Sequence, residues 1–272
     1  MEAVRPITDD EFQQFRRFIY DQAGISMAPQ KRHLVEGRLH KRLRHYGLRT
    51  YGEYFRWVSS PEGREEHQVL VDLLTTNETY FFREQAHFDF LAEKILAGYR
   101  GREFRAWSAA CSSGEEVYTL AMVMAETLGQ GDWEVHGSDI SQRMLAAARA
   151  GLYPLERAQG IPRHLLSKYC LKGVRSQAGY LLIDSKLKQR VRFRSVNLKA
   201  PLAEHPAYQV IFLRNVLIYF DVETKREVVG RVSRALAPGG YLFVSHVESL
   251  HGVADHLEMV KPSIFRRPRS QS

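Results

Sequence analysis

Trp107-Ser-Ala-Ala-Cys-Ser-Ser-Gly-Glu-Glu116 begins inside an apolar strand, Phe104 to Ala110, and runs into a turn of small residues, Cys111 to Gly114. A helix then opens on two carboxylates, Glu115 and Glu116. About one βα unit later a second strand, Trp133 to Ser138, ends on a single acid, Asp139. An open α/β sheet builds a nucleoside pocket in this way. The small turn lets a ligand approach the backbone, and an acid at the next strand tip accepts hydrogen bonds from ribose hydroxyls. The turn has a single glycine, and two acids stand where a pyrophosphate would need positive potential. A neutral or cationic nucleoside fits better, and the sulfonium cofactor S-adenosyl-L-methionine is expected.

Working outward, residues 8–74 read as helices, with Phe12, Phe15 and Ile19 at helical spacing and Leu34, Leu39 and Leu43 more loosely so. From Phe104 onward short apolar strands alternate with helices, which implies a parallel, doubly wound sheet. Strands are expected at 103–109, 133–138, 190–196, 208–213 and 240–245, and helices at 115–128, 141–150 and 222–236. Leu257 to Val260 and Ser263 to Arg267 flank Lys261-Pro262 as a closing antiparallel hairpin. The interval from Tyr153 to Arg190 is too long for a plain connection and reads as a small β insertion. Within it Tyr180 to Ile183 is expected to face Val191 to Val196.

The 272 residues carry 44% apolar and 26% charged side chains, as in a soluble globular protein. Met1 to Phe12 holds no apolar signal-like stretch, and a cytoplasmic location is expected. Arg214 and Asn215 break the longest apolar run, Val210 to Phe220, which argues against membrane insertion. The two cysteines, Cys111 and Cys170, have no ligand spacing, so no metal is expected. A net charge of +8 points to an acidic partner.

Several side chains could carry chemistry. Asp139 is either a ribose ligand or the cap of the following helix. Of the two acids that open the first helix, Glu115 is favoured for the cofactor site because it stands nearer the turn. Asn197-Leu198, at the tip of the third strand, is either an adenine-edge contact or a plain turn. Arg214-Asn215 interrupts a buried run at the fourth strand tip, where polar groups must be satisfied or useful. Tyr219 is either a core aromatic or a hydroxyl facing the acceptor. The basic run Lys31 to His45, with Arg38, Arg42 and Arg44, is either a solvated face or a docking surface.

Taken together, Thr76-Asn-Glu-Thr-Tyr-Phe-Phe-Arg83, Trp107 to Glu116, Ser138-Asp139-Ile140 and Phe212-Leu-Arg-Asn-Val-Leu-Ile-Tyr-Phe-Asp221 resemble the bacterial chemotaxis receptor methyltransferases, the CheR family. Pro238 to Glu248 fits as well. The resemblance implies an all-α N-terminal domain over 1–74 for substrate docking and a linker over 75–102 that contributes to the active site. It implies a Rossmann-like α/β methyltransferase domain over 103–272, with a small antiparallel β subdomain inserted at about 155–196. The implied activity is methyl transfer from S-adenosyl-L-methionine to receptor glutamates, giving methyl esters and S-adenosyl-L-homocysteine. Carried over by position, Asn77, Thr79, Arg83, Glu115, Asp139, Asn197, Leu198, Arg214 and Asn215 bind the cofactor, and Arg83 and Tyr219 flank the transfer position. The implied partners are the methylation helices of the receptors' cytoplasmic domain. In some members a C-terminal tethering peptide also binds, for which Lys172, Gly173 and Arg175 are the matching place. A monomer is expected.

Two rival classes follow from the charge and the fold. An RNA methyltransferase would suit the high pI, but an amino-directed clamp of the Asn/Asp-Pro-Pro-aromatic type is replaced here by Arg214-Asn215-Val216-Leu217. A non-catalytic signalling scaffold would not need Arg83, Asp139, Asn215 and Tyr219 together.

Overall fold

The computed structural model describes residues 4–101 and 103–269; residues 1–3, 102 and 270–272, which fall within the expected domain bounds, lie outside the described residues. Helix α1 (Asp9–Ala23) starts on a reciprocal cap. Thr8 accepts from the Glu11 N–H while the Glu11 carboxylate accepts from the Thr8 N–H. It stops at Gly24, whose φ of 74° suits glycine. Helices α2 (Arg32–His45), α3 (Tyr51–Val58) and α4 (Arg64–Leu74) close on it around Phe12, Phe15, Ile19, Leu39, Leu43, Tyr54 and Leu70. On α2 the buried stripe is Val35, Leu39 and Leu43. Leu34, expected inside, is only half buried, because steps of four residues place Val35 on that face.

Glu66 of α4 is an acid carried into this helical core. Its carboxylate takes two N–H donors from Arg42 and the hydroxyls of Tyr46 and Tyr54, the latter at 2.8 Å. A buried charge is tolerable only with such full pairing.

After the linker come α5 (Ala86–Phe90), β1 (Glu103–Ala109), α6 (Glu115–Leu128), β2 (Asp132–Asp139) and α7 (Gln142–Ala150). Then follow β3 (Leu152–Pro154), α8 (Arg163–Tyr169), β4 (Cys170–Lys172), β5 (Tyr180–Ile183), α9 (Ser185–Lys188) and β6 (Val191–Ser195). The chain closes with β7 (Tyr208–Phe212), α10 (Val222–Arg234), β8 (Leu236–Phe243), β9 (Glu258–Lys261) and β10 (Ile264–Arg266). The main sheet has the order β6-β2-β1-β7-β8-β10-β9. Its first five strands are parallel, and β10 and β9 are antiparallel. β1 lies between β2 and β7, so connections leave it in opposite directions and open a crevice at the carboxyl ends of the strands. No helix among the described residues is long and apolar enough to cross a membrane.

One expected pairing is corrected. Tyr180 to Ile183 does not face Val191 to Val196. It is the middle strand of a separate antiparallel sheet, β3-β5-β4, while Val191 to Ser195 joins the main sheet in parallel beside β2. The small sheet therefore begins at Leu152, and β6 is no part of it. The reason is local: Asp184 caps α9 by accepting from the Lys186 N–H at 2.8 Å. That helical turn separates two strands which would otherwise form a hairpin.

Arg42→Ala leaves Glu66 buried without its cation and should destabilise the protein by about 3 kcal/mol, read by urea unfolding. Burial pushes the Glu66 carboxyl up, but Arg42, Tyr54 and Tyr46 outweigh it and hold the group below its usual value. Its stabilisation is thus complete above the unfolded-chain value of about 4.3 and is lost as pH falls through the lower folded value. Glu66→Gln should flatten that acid limb; an unaltered limb would refute the assignment.

Candidate functional site

The strand tips converge on one cleft. Its floor is the turn after β1. Ala110, Ser112 and Gly114 all take positive φ, at 68°, 50° and 94°, which bends the chain sharply between strand and α6. A Cβ on Gly114 would sit 2.9 Å from the Ala148 Cβ, so this position also needs glycine for space. Asp139 closes the turn from β2: Oδ2 accepts from the Ser112 N–H at 2.8 Å and Oδ1 from the Ser141 N–H at 2.9 Å. Burial raises its carboxyl, and the Ser141 and Ser112 amides pull the other way. Ser141 itself caps α7, so Asp139 is not the cap that its position allowed. Cys111 lines the same floor, and burial beside Asp139 and Glu116 pushes its thiol well up, which disqualifies it as a nucleophile.

Arg214 holds the inner wall. Its guanidinium is buried, bonds Glu116 at 2.8 Å, lies 3.3 Å from Glu84 and donates to the Arg83 carbonyl at 2.6 Å. It also stands over the Phe88 and Phe212 rings at 5.6 and 5.7 Å. Asn215 adopts φ 57° and donates its side-chain amide to Ser245 at 2.8 Å. The loop that carries it is organised by Glu248, a buried carboxylate accepting backbone N–H groups from Asn215, Leu217, Ile218 and Ser245.

The linker covers the cleft, contributing Asn77, Thr79 and Arg83. Arg83 donates to the Glu78 carbonyl at 3.0 Å and lies 5.4 Å over the Tyr80 ring. It has no acidic partner among the described residues. Tyr219 is half buried in the cleft lining; burial raises its hydroxyl pKa, opposed by Thr76 and Arg83. The helical domain reaches in as well: Ala23 and Ile25 line the cleft, Ile25 bridges Phe220, and the Ser26 N–H bonds the Tyr219 carbonyl at 2.8 Å.

The structure thus gathers Asn77, Thr79, Arg83, Asp139, Asn197, Leu198, Arg214, Asn215 and Tyr219 around one cleft. Glu115 is the exception. It is buried away from the lining, bonded to Ser113 at 2.7 Å and paired with Arg157, while Glu116 faces the cleft and bonds Ser108 at 2.7 Å. Successive helix residues point about 100° apart, so proximity to the turn in sequence misleads. Asn197 lies in the wall, but its amide donates to the Gln22 carbonyl at 2.6 Å and its carbonyl accepts from Lys199. Sequence reasoning weighed Glu116 but favoured Glu115, and it missed Glu84, Glu248 and the Ala23–Ile25 segment. Ser245-x-x-Glu248 carried the signal for Glu248; nothing local marked Ala23 and Ile25.

The three arginines expected to dock differ. Arg38 donates to the carbonyls of Leu74 and Thr75 at 3.1 and 3.0 Å and to Thr76, pinning the start of the linker. Arg42 is committed to Glu66. Arg44 is exposed. Lys172, Gly173 and Arg175 do not line the cleft; Gly173 donates to the Tyr180 carbonyl, and a Cβ there would collide with the Gln177 carbonyl.

The donor set suits a sulfonium nucleoside. Asp139 and Glu116 present acid to the cleft, Arg214 is offset by Glu84 and Glu116, and the Ser112 N–H that might have met a phosphate is already taken by Asp139.

Comparison with known proteins agrees. Residues 77–265 match the family described as CheR methyltransferase, SAM binding domain, and residues 10–75 match CheR methyltransferase, all-alpha domain. The chain is 39% identical over 255 residues to a chemotaxis protein methyltransferase of Escherichia coli, covering 93% of this chain and 87% of that protein. It is 41% identical over 262 residues to chemotaxis protein methyltransferase 2 of Pseudomonas aeruginosa, covering 95% and 93%. With the cleft, the two matched domains and these relatives in agreement, the chain belongs to the CheR methyltransferase family.

Proposed function

We propose that the chain methylates side-chain carboxylates of glutamates in chemotaxis receptors, using S-adenosyl-L-methionine and releasing S-adenosyl-L-homocysteine. The observation that carries this reading is the cleft lined together by the acids Asp139 and Glu116 and by Arg83 and Tyr219. When bound there, the cofactor supplies a methyl group on a positively charged sulfur. Asp139 would hold the ribose, the backbone at Asn197 and Leu198 would meet the adenine, and Glu116 would lie against the methionine portion. Arg214 and Asn215 would form the inner wall, and Asn77, Thr79 and Arg83 would cover the cleft from the linker.

The protein has little acid-base work to do. A glutamate side chain ordinarily ionises near pH ~4.3 and is already a carboxylate at neutral pH. Attack on a methyl group needs no general base, in keeping with a raised Cys111 thiol and with no histidine in the cleft lining among the described residues. What remains is orientation and exclusion of water, effects that contribute roughly 7–11 kcal/mol. Arg83, free of acidic partners, would orient the incoming carboxylate by paired N–H bonds, and Tyr219 would limit its approach.

The receptor's acidic helices would meet the basic face of α2. Because Arg38 and Arg42 serve the linker and Glu66, exposed Arg44 is the better probe of docking. A tethering peptide, if taken up as an added strand, would pair with an edge of the small sheet. β5 is the middle strand there, so β4, which ends on Lys172 just before Gly173 and Arg175, is the candidate edge. The protein would act as a cytoplasmic monomer.

Three outcomes test the reading. Arg83→Ala should lower receptor methylation about 100-fold while calorimetric affinity for S-adenosyl-L-homocysteine changes by only a few fold; full activity would remove Arg83 from the transfer position. Glu116→Gln should weaken that affinity about tenfold and Glu115→Gln hardly at all, and the reverse order would restore the sequence-based assignment. Arg44→Glu should slow methylation in a salt-dependent way without moving the thermal midpoint; equal rates at low and high salt would exclude docking through this face.

A further inference from the structure

Behind the inner wall, outside the cleft lining, Glu84, His87 and His246 bring three ligand atoms within 4.8 Å of one another. Glu84 leaves the linker at φ 59°, His87 lies in α5, and His246 follows β8. Glu84 Oε2 is 3.5 Å from His87 Nδ1 and 3.7 Å from His246 Nε2, and the two imidazole centroids are 4.5 Å apart.

Ser263 decides what these atoms offer. Its Oγ lies 2.7 Å from His87 Nε2, 3.1 Å from His246 Nδ1 and 2.5 Å from the Pro262 carbonyl. A hydroxyl has one hydrogen and two lone pairs. The assignment that satisfies all three bonds donates to Pro262 and accepts from both rings. His87 Nδ1 and His246 Nε2 then carry lone pairs, and both face a carboxylate oxygen. The His87 ring is buried, and its Nδ1 has no hydrogen-bond partner. The Glu84 carboxylate accepts from the Ser245 hydroxyl at 2.7 Å and from the His246 N–H at 3.1 Å. Arg214 stands 3.3 Å from the same Oε2, yet Glu84 and Glu116 together outnumber it, leaving one negative charge uncompensated. Three converging lone pairs with excess negative charge are relieved by a cation.

We propose that Glu84 Oε2, His87 Nδ1 and His246 Nε2 bind a divalent transition-metal ion of the Zn2+ or Co2+ type, with Ser263 orienting both imidazoles. Two imidazoles and a carboxylate are the donors such ions prefer over Mg2+ or Ca2+. Ligands about 2.0–2.2 Å from a tetrahedral ion lie about 3.3–3.6 Å from each other, close to the separations to Glu84. A single residue accepting from both ligating rings is the outer-shell arrangement that fixes tautomers at metal sites. His246, half exposed, leaves an entry path and an open position. This departs from the expectation of no metal, which rested on cysteine spacing. Glu84-x-x-His87 is local, but His246 and Ser263 arrive only through the fold.

The test is titration of the chelator-treated, tag-free protein with Co2+, followed by visible ligand-field absorption and calorimetry. One Co2+ per chain is expected, displaced by Zn2+. His246→Ala should weaken it roughly 100-fold and Ser263→Ala about tenfold, with the thermal midpoint of the metal-free His246→Ala protein unchanged. Absence of Co2+ binding to the unaltered protein would overturn the proposal. So would equal binding by His246→Ala, which would assign the ion to other histidines.

Discussion

A buried guanidinium is costly unless its charge is answered, and Arg214, whose Nε alone has no partner, is held at its other two nitrogens and its face by four separate parts of the chain. Glu116 at the start of α6, Glu84 and the Arg83 carbonyl in the linker, and the rings of Phe88 and Phe212 surround it. Remove the charge and two carboxylates are left facing each other in the interior. The linker, the first helix of the α/β domain and the tip of β7 are therefore held to one arrangement, and that arrangement forms the inner wall of the cleft.

Glu248 does for the loop that follows Arg214 what Arg214 does for the inner wall. Four backbone N–H groups converge on its carboxylate and fold the chain from Asn215 to Tyr219 into a fixed loop, with Asn215 in the left-handed region. Such strain persists only where the surroundings over-determine it. The helical domain then seals the outer face, with Tyr20 bonded to Asp221 at 2.8 Å, Asn197 to the Gln22 carbonyl and Ile25 bridged to Phe220. Polar groups that read as ligands in a linear sequence are here partly structural. Asn197 and Arg38 spend their side chains on joining the two domains and the linker, and both stand beside the cleft for that reason.

The cofactor reading and the electrostatics agree on one point. The cleft keeps its acids facing inward and has its buried cation offset, so it favours a cationic nucleoside over a phosphate ester. Arg83 is the exception, a cation at the mouth without an acidic partner among the described residues, suited to an incoming carboxylate. The Glu84, His87 and His246 cluster lies just behind this machinery and shares Glu84 with Arg214.

Much of this was legible in the linear chain because it depends on short-range rules. The change from helical to strand period placed the domains in order, Gly114 and the small residues around it marked the turn, and acids or Arg-Asn pairs ending apolar runs marked the strand tips. The antiparallel closing hairpin was readable from Lys261-Pro262. Other features required distances between residues far apart in sequence. Only the fold decided that Val191 to Ser195 extends the main sheet rather than the small one, since α9 intervenes. It decided that Glu116 rather than Glu115 meets the cleft, through the rotation of a helix. It committed Arg42 to Glu66, turned the Asn197 amide to Gln22, and carried Ala23 and Ile25 into the pocket wall. Local pattern determines which element forms and which residue ends it; which partner a side chain finds is a property of the packed whole, because hydrogen bonds and ion pairs respond to separation in space.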